Sequence, residues 1–177
     1  MRLPPSRAAG TYSVALVCLG NICRSPMAHV VLEERLAEAG LGAPDGPVTV
    51  TSSGTGGWHV GETMDERAAA TLTAAGYDAT RHRARQYDAA APADLVLAMD
   101  GSNRSAVRAI APEPDRVVLF RALDPDLPPD EPDGADVPDP YYGGAEGFAD
   151  VLSMVERTAA ALVERLAEQE PWREHPR

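Results

Sequence analysis

Lysine is absent from this 177-residue chain. All 16 basic residues are arginines, set against 27 acidic ones, for a formal net charge of −11. That balance argues against nucleic acid or an anionic membrane as partner, since both select a basic face. Cysteine is scarce: two residues cannot build a disulfide framework or a structural zinc site. The four histidines, His29, His59, His82 and His175, have no partner at metal-ligand spacing, so no metal and no other cofactor is expected. No apolar run approaches the roughly 20 residues of a membrane span, and no secretory leader pattern is present. A cytoplasmic protein with reduced thiols is the expectation. Frequent Ala, Arg, Pro and Gly suggest the coding bias of a GC-rich bacterial genome, not a function.

What the chain does contain is concentrated between Val17 and Pro26. Ser13 to Val17 is a short aliphatic, β-branched run that reads as a buried strand, with Cys18 at its end. Gly20 and Asn21 tolerate left-handed backbone and allow a tight loop. Ser25 suits a helix N-cap and Pro26 a first helical position, and Ala28 to Ala39 reads as the helix. A strand, a one-turn loop and a helix N-terminus aim several N–H groups at one point, which makes an anion-binding nest. The expected phosphate cup is Leu19, Gly20, Asn21, Ile22, Cys23, Arg24 and Ser25. Helix dipole, nest and Arg24 favour the thiolate of Cys18, a nucleophile at the floor of the cup. Arg24 can hold two phosphate oxygens, and Ser25 is placed to donate to the Cys18 sulfur. A lone strand-end cysteine is ordinarily inert core. It is the combination with Gly, Asn, Arg and Ser-Pro that points to chemistry.

Further along, β and α signals alternate. Val48 to Ser52 reads as a second strand, and Ser53 to Gly61 as a Gly-rich loop carrying Trp58 and His59. Asp65 to Ala75 reads as a short helix stopped by Gly76. Asp94 to Met99 is a third strand, Ser102 to Ile110 a helix, and Arg116 to Phe120 a fourth strand. In the last helix, Phe148, Val151, Leu152, Val155, Ala159, Leu162, Val163 and Leu166 share one face. This predicts a single α/β domain: a four-stranded parallel sheet flanked by helices on both faces. Its phosphate-binding loop follows the first strand, at the carboxyl end where ligands bind. Residues 1–12 are expected to be a flexible tail, 13–168 the domain, and 169–177 a C-terminal tail. Between Asp124 and Asp139 lie seven acidic residues, five prolines and no basic residue, the composition of a solvated, mobile loop.

Cys-x5-Arg-Ser with Leu-Gly-Asn-Ile-Cys between resembles the signature of the low-molecular-weight protein tyrosine phosphatases. Asp139-Pro140-Tyr141-Tyr142-Gly143, about 120 positions later, is similar to that family's general-acid motif. Leu97-Ala98-Met99-Asp100 with Ser102-Asn103, and His82-Arg83-Ala84-Arg85-Gln86, also match. The resemblance runs from about Ser13 to about Glu168. It implies a phosphotyrosine-protein phosphohydrolase working through a cysteinyl-phosphate intermediate, with inorganic phosphate as product. Cys18 is then the nucleophile, Arg24 the phosphate clamp and Asp139 the general acid. Asn21, Ser25, Ser52 and His82 support the loop, with the Asn21 side chain bonded to Ser52 and His82. Ile22, Trp58, Tyr141 and Tyr142 line the substrate slot, although Trp58 read on its own suits partial core burial equally. The resemblance also implies that Cys23 can pair with Cys18 as a redox partner. A monomer or weak dimer is the expected state. Three alternatives stay open. A protein arginine phosphatase is disfavoured by Ile22 and Tyr141, where such relatives carry Thr and Phe. An arsenate reductase needs further cysteines, and none follows Cys23. A non-catalytic phosphate-binding module would be expected to lose Cys18 or Asp139.

Overall fold

Among the residues described by the computed structural model, 1–127 and 135–173, four parallel strands alternate with four α-helices. The strands are β1 (Tyr12–Cys18), β2 (Val48–Gly54), β3 (Leu95–Ala98) and β4 (Val117–Leu119). The helices are α1 (Arg24–Glu38), α2 (Glu66–Ala74), α3 (Gly101–Arg108) and α4 (Ala145–Gln169). The sheet order is β2-β1-β3-β4. The chain thus moves outward from β1 to one edge, returns across it to β3 and continues the other way. The order reverses at β1 and β3, and in such sheets ligands bind at the carboxyl ends of the strands flanking that point.

The side-chain period of two sorts β1 between two cores. Val14, Leu16 and Cys18 face the larger one, with Met27, Val31 and Leu32 of α1, Ala68 and Leu72 of α2, and Phe148, Val155 and Leu162 of α4. Ala15 and Val17 face the smaller one, with Val96, Val117 and Val107 of α3. Helices therefore cover both faces, as expected, with three on one side and one on the other. β2 is an edge strand: Val48 is buried, whereas Thr49 and Thr51 are exposed. The apolar face predicted for the last helix is the face α4 buries, with Val163 at its margin. Gly76, at φ 94°, ends α2 where a left-handed residue is required.

The flexible tail expected at residues 1–12 is a correction. Leu3 is 4% exposed and Ser6 is fully buried. Main-chain bonds run from Ser6 N to Pro171 O (3.1 Å) and from Gly10 N to Trp172 O (3.0 Å), so this segment lies along the chain that follows α4. The expected C-terminal tail shares the correction as far as residue 173, because Trp172 is buried in the same contact. Each segment is unremarkable alone, and together they bury Leu3 and Trp172. The acidic loop is also not uniformly solvated. Asp124, Ala135 and Val137 are buried, while residues 128–134 of that stretch lie outside the described residues. Asp124 accepts from Arg157 Nε and Nη2 at 2.7 and 2.8 Å, from Arg121 Nε at 3.2 Å and from Asp126 N at 3.0 Å. Burial pushes its carboxyl pKa up, but the bonds from Arg157, the Asp126 amide and Arg121 outweigh this and hold it below the usual range. No helix among the described residues is long and apolar enough to cross a membrane.

Candidate active site

Cys18 closes β1 with its side chain in the larger core, and the chain then curls through Leu19–Cys23 into α1. The curl depends on two backbone features. Asn21 sits at φ 56°, in the left-handed region its short polar side chain tolerates. Gly54, at the end of β2, lets the loop pass close by: a Cβ there would stand 2.7 Å from Leu19 O. Thr55 N and Gly56 N donate to the carbonyls of Cys18 and Leu19, both at 2.9 Å, and lock the crossing. A glycine closing a strand pattern is a known sign of close backbone approach, and Gly54 could have been picked out from the sequence on that ground.

Two donors point at the Cys18 sulfur, Asn21 N at 3.2 Å and Ser25 Oγ at 3.0 Å. Ser25 is not the helix N-cap, a correction to the sequence reading. Arg24 is the first helical residue, Cys23 occupies the cap without a side-chain bond, and Pro26 falls in the third position. Freed from capping, the Ser25 hydroxyl is available to the sulfur. Asn21 Nδ2 donates to Ser25 Oγ (2.8 Å) and to Ser52 Oγ (3.1 Å), and its Oδ1 accepts from Arg85 N (2.9 Å). His82 contributes differently from expectation. Its Nε2 meets the Asn21 main-chain carbonyl at 2.8 Å, not the side chain, which bonds Ser25, Ser52 and Arg85 instead. Burial lowers the His82 pKa against the opposing effect of that bond, which favours the neutral ring with its proton on Nε2. His29, set aside in the sequence, backs Ser52: its Nδ1 lies 3.2 Å from Ser52 Oγ, and its Nε2 3.2 Å from Glu33.

Arg24 is 3% exposed and spans two carboxylates. Nη1 meets Asp100 Oδ2 at 2.6 Å and Val137 O at 3.1 Å, and Nη2 meets Asp139 Oδ2 at 2.7 Å. A buried guanidinium requires such partners. Asp100 appeared in the sequence only as part of a matching run. It also caps α3 through Asn103 N at 2.7 Å, so one residue ties β3's end to the loop. Val137 N donates to Met99 O at 2.7 Å, fastening the end of the acidic loop to β3 and bringing Asp139 to the cavity.

The cavity, about 270 Å³, has Cys18, Gly20, Ile22, Cys23 and Arg24 at its base and Trp58, His59, Asp139, Tyr141 and Tyr142 around it. Leu19 also lines it, with a largely exposed side chain. Trp58 is 72% exposed, so the alternative of core burial does not apply. Tyr141 and Tyr142 stack edge to face, centroids 5.0 Å apart, and Tyr142 is 94% exposed. Ser52 and His82 reach the site only through Asn21. Cys23 is a buried free thiol. Burial first, then the negative charge of Asp65, Cys18 and Asp139, pushes its pKa up to about 12, although Arg67 opposes them. It is therefore a neutral thiol at physiological pH. Among the described residues no group of three or more His, Cys, Asp or Glu could hold a metal ion.

A thiol held by two donors, in a tight loop leading into a helix at the switch point of a 2-1-3-4 sheet, is the arrangement of a cysteine-dependent phosphatase of the α/β class. Comparison with known proteins narrows this further. The family model described as "Low molecular weight phosphotyrosine protein phosphatase" matches residues 13–171, and the chain belongs to that family. It is 44% identical over 164 residues, 90% of this chain and 96% of the relative, to a low molecular weight protein-tyrosine-phosphatase of Streptomyces coelicolor. Over 163 residues, 89% of this chain and 96% of the relative, it is 42% identical to low molecular weight protein-tyrosine phosphatase A of Mycobacterium tuberculosis. Among solved structures, a protein tyrosine phosphatase from Entamoeba histolytica matches with a TM-score of 0.80 at 27% identity, covering 90% of this chain and 99% of that one.

Proposed function

We propose that this protein hydrolyses phosphotyrosine on protein substrates in two steps through a cysteinyl phosphate. Cys18 Sγ attacks phosphorus in line while Arg24 and the loop amides from Leu19 to Ser25 bind the equatorial oxygens. The bond from phosphorus to the tyrosine oxygen breaks, and Asp139 gives that oxygen its proton. Asp139, now a carboxylate, takes a proton from water. The water oxygen bonds to phosphorus, the S–P bond breaks, and inorganic phosphate leaves. Ser25 and the Asn21 amide stabilise the departing thiolate. Ile22 gives the slot an apolar base that suits an aryl ring, and Trp58, Tyr141 and Tyr142 flank it.

The observation that carries this reading is the pair of donors on Cys18 Sγ, at 3.0 and 3.2 Å, in the same cavity as Arg24 and Asp139. Cys18→Ser tests it. Turnover of p-nitrophenyl phosphate should vanish while phosphate still binds, because a hydroxyl is a far weaker nucleophile than the sulfur it replaces; Arg24→Ala should lose both. Phosphotyrosine and phosphoarginine peptides assayed side by side decide the leaving group. More than trace turnover by Cys18→Ser, or a wild-type preference for phosphoarginine, overturns the proposal.

We assign Cys23 the part of redox partner. It lines the same cavity, and its thiol can condense with a Cys18 sulfenic acid left by peroxide, releasing water and forming a disulfide. Such a pair acts as a reversible safeguard in a reducing cytoplasm, where we place the protein. Peroxide inactivation of the wild type should then reverse with dithiothreitol, whereas Cys23→Ser should recover poorly.

A further inference from the structure

Arg67, in the first turn of α2, belongs to none of the roles above, yet it joins the two segments whose relative position the chemistry needs. Its side chain folds back on Asp65, with Nε 3.0 Å from Oδ1 and Nη2 2.9 Å from Oδ2. Asp65 is the N-cap of α2, and its own N–H donates to Ile22 O at 2.8 Å, a carbonyl of the phosphate loop. On its other side the guanidinium donates to two carbonyls beyond the acid, Tyr141 O from Nη2 at 3.0 Å and Gly143 O from Nη1 at 3.2 Å. Tyr141 N in turn donates to Asp139 Oδ1 at 3.1 Å. The cation also lies over two rings, 4.7 Å from the Phe148 centroid and 5.6 Å from that of Tyr141. One continuous set of bonds therefore runs from Ile22 through Asp65 and Arg67 to the segment holding Asp139.

We propose that Arg67 is a positioning residue for proton transfer, holding the 139–143 segment in register with the phosphate loop so that Asp139 meets the leaving oxygen. The inference rests on Asp139 being the proton donor. The geometry suits a guanidinium and not an ammonium. Four donations leave in a planar fork, two to the Asp65 carboxylate and two to the carbonyls of Tyr141 and Gly143, while the face stacks on aromatic rings. The side chain of Arg67 is 40% exposed, so as an ion pair it adds little to global stability. What its loss releases is a turn at the rim of the site, and small misplacements of reacting groups are costly to rate.

The test compares phenyl phosphate with p-nitrophenyl phosphate, using kcat/KM because it reports the steps up to departure of the phenol. The variants are Arg67→Ala, Arg67→Lys, Asp139→Asn and the double variant Arg67→Ala with Asp139→Asn. Asp139→Asn should slow phenyl phosphate far more than p-nitrophenyl phosphate, since a good leaving group needs less protonation. Arg67→Ala should show the same leaving-group bias, with a loss of about 10- to 100-fold on phenyl phosphate. Arg67→Lys should recover only part of it. In the Asp139→Asn background, Arg67→Ala should add less than about twofold, because the group it positions is already gone. If Asp139→Asn shows no leaving-group bias, the assignment of Asp139 fails and this inference with it. If Asp139→Asn shows the bias but Arg67→Ala lowers both substrates equally, or is fully additive with Asp139→Asn, the reading of Asp139 stands and the positioning role of Arg67 is refuted.

Discussion

Replacing Asn21 separates two contributions to the shape of the phosphate loop. Asn21→Ala removes three side-chain hydrogen bonds, those with Ser25, Ser52 and Arg85 N, and puts a methyl-bearing residue at φ 56°. Each bond contributes about 1 kcal/mol net, and the left-handed conformation costs alanine about 1 kcal/mol. The sum is about 4 kcal/mol. Asn21→Gly loses the same bonds but not the steric penalty, so it should recover about 1 kcal/mol relative to Ala. If the strain is shared by the whole domain, Tm should fall by about 8–16 °C for Asn21→Ala, at about 2–4 °C per kcal/mol for a chain of this length. If it is confined to the loop, the population of competent loop falls instead, and kcat/KM drops about tenfold for each 1.4 kcal/mol. Thermal unfolding and kcat/KM on p-nitrophenyl phosphate, measured on both variants, capture the two routes together. An Asn21→Ala protein within about twofold of wild type in kcat/KM and with an unchanged Tm would refute the reasoning, as would an Asn21→Gly variant worse than the alanine one.

Two further expectations concern buried titrating groups. Cys23 has a folded-state pKa of about 12, above the value of about 8.5 for a free thiol. The unfolded chain therefore releases that proton first, and stability associated with Cys23 is present below about pH 8.5 and lost as pH rises toward 12. The stability difference between wild type and Cys23→Ala should narrow over that window in urea titrations, and a constant difference would contradict the assignment. Asp124 has the opposite sign: its folded pKa is depressed, so its contribution is present above about pH 3.9 and lost as pH falls through the folded value. Asp124→Asn should destabilise by about 3 kcal/mol at neutral pH, the lower end for breaking a buried pair because Arg157 is 31% exposed and can regain water. That deficit should shrink in acid, and an equal deficit at pH 7 and below pH 3 would rule out the ion pair as its source.

The local conformation of the site was legible from residues close in sequence. The run from Cys18 to Ser25 specifies a strand end, a left-handed turn and a helix start, and the structure has all three, because backbone preference and side-chain period act over a few residues. The same locality made the α/β alternation and the buried face of α4 readable. What depended on tertiary structure was the choice among equivalent partners far apart in the chain. An acidic chain rich in arginine offers many ion pairs of equal local merit, so nothing near Arg24 singles out Asp100 and Asp139. His82 meets the main-chain carbonyl of Asn21, while Ser25, Ser52 and Arg85, from three separate segments, bond its side chain. Residues 1–12 read as a tail because Leu3 finds its apolar surroundings only where the chain beyond α4 comes back beside it. Local pattern sets which conformation a segment prefers. Which donor finds which acceptor is decided only when packing brings the segments together, since hydrogen bonds and ion pairs act over a few ångströms and are indifferent to sequence separation.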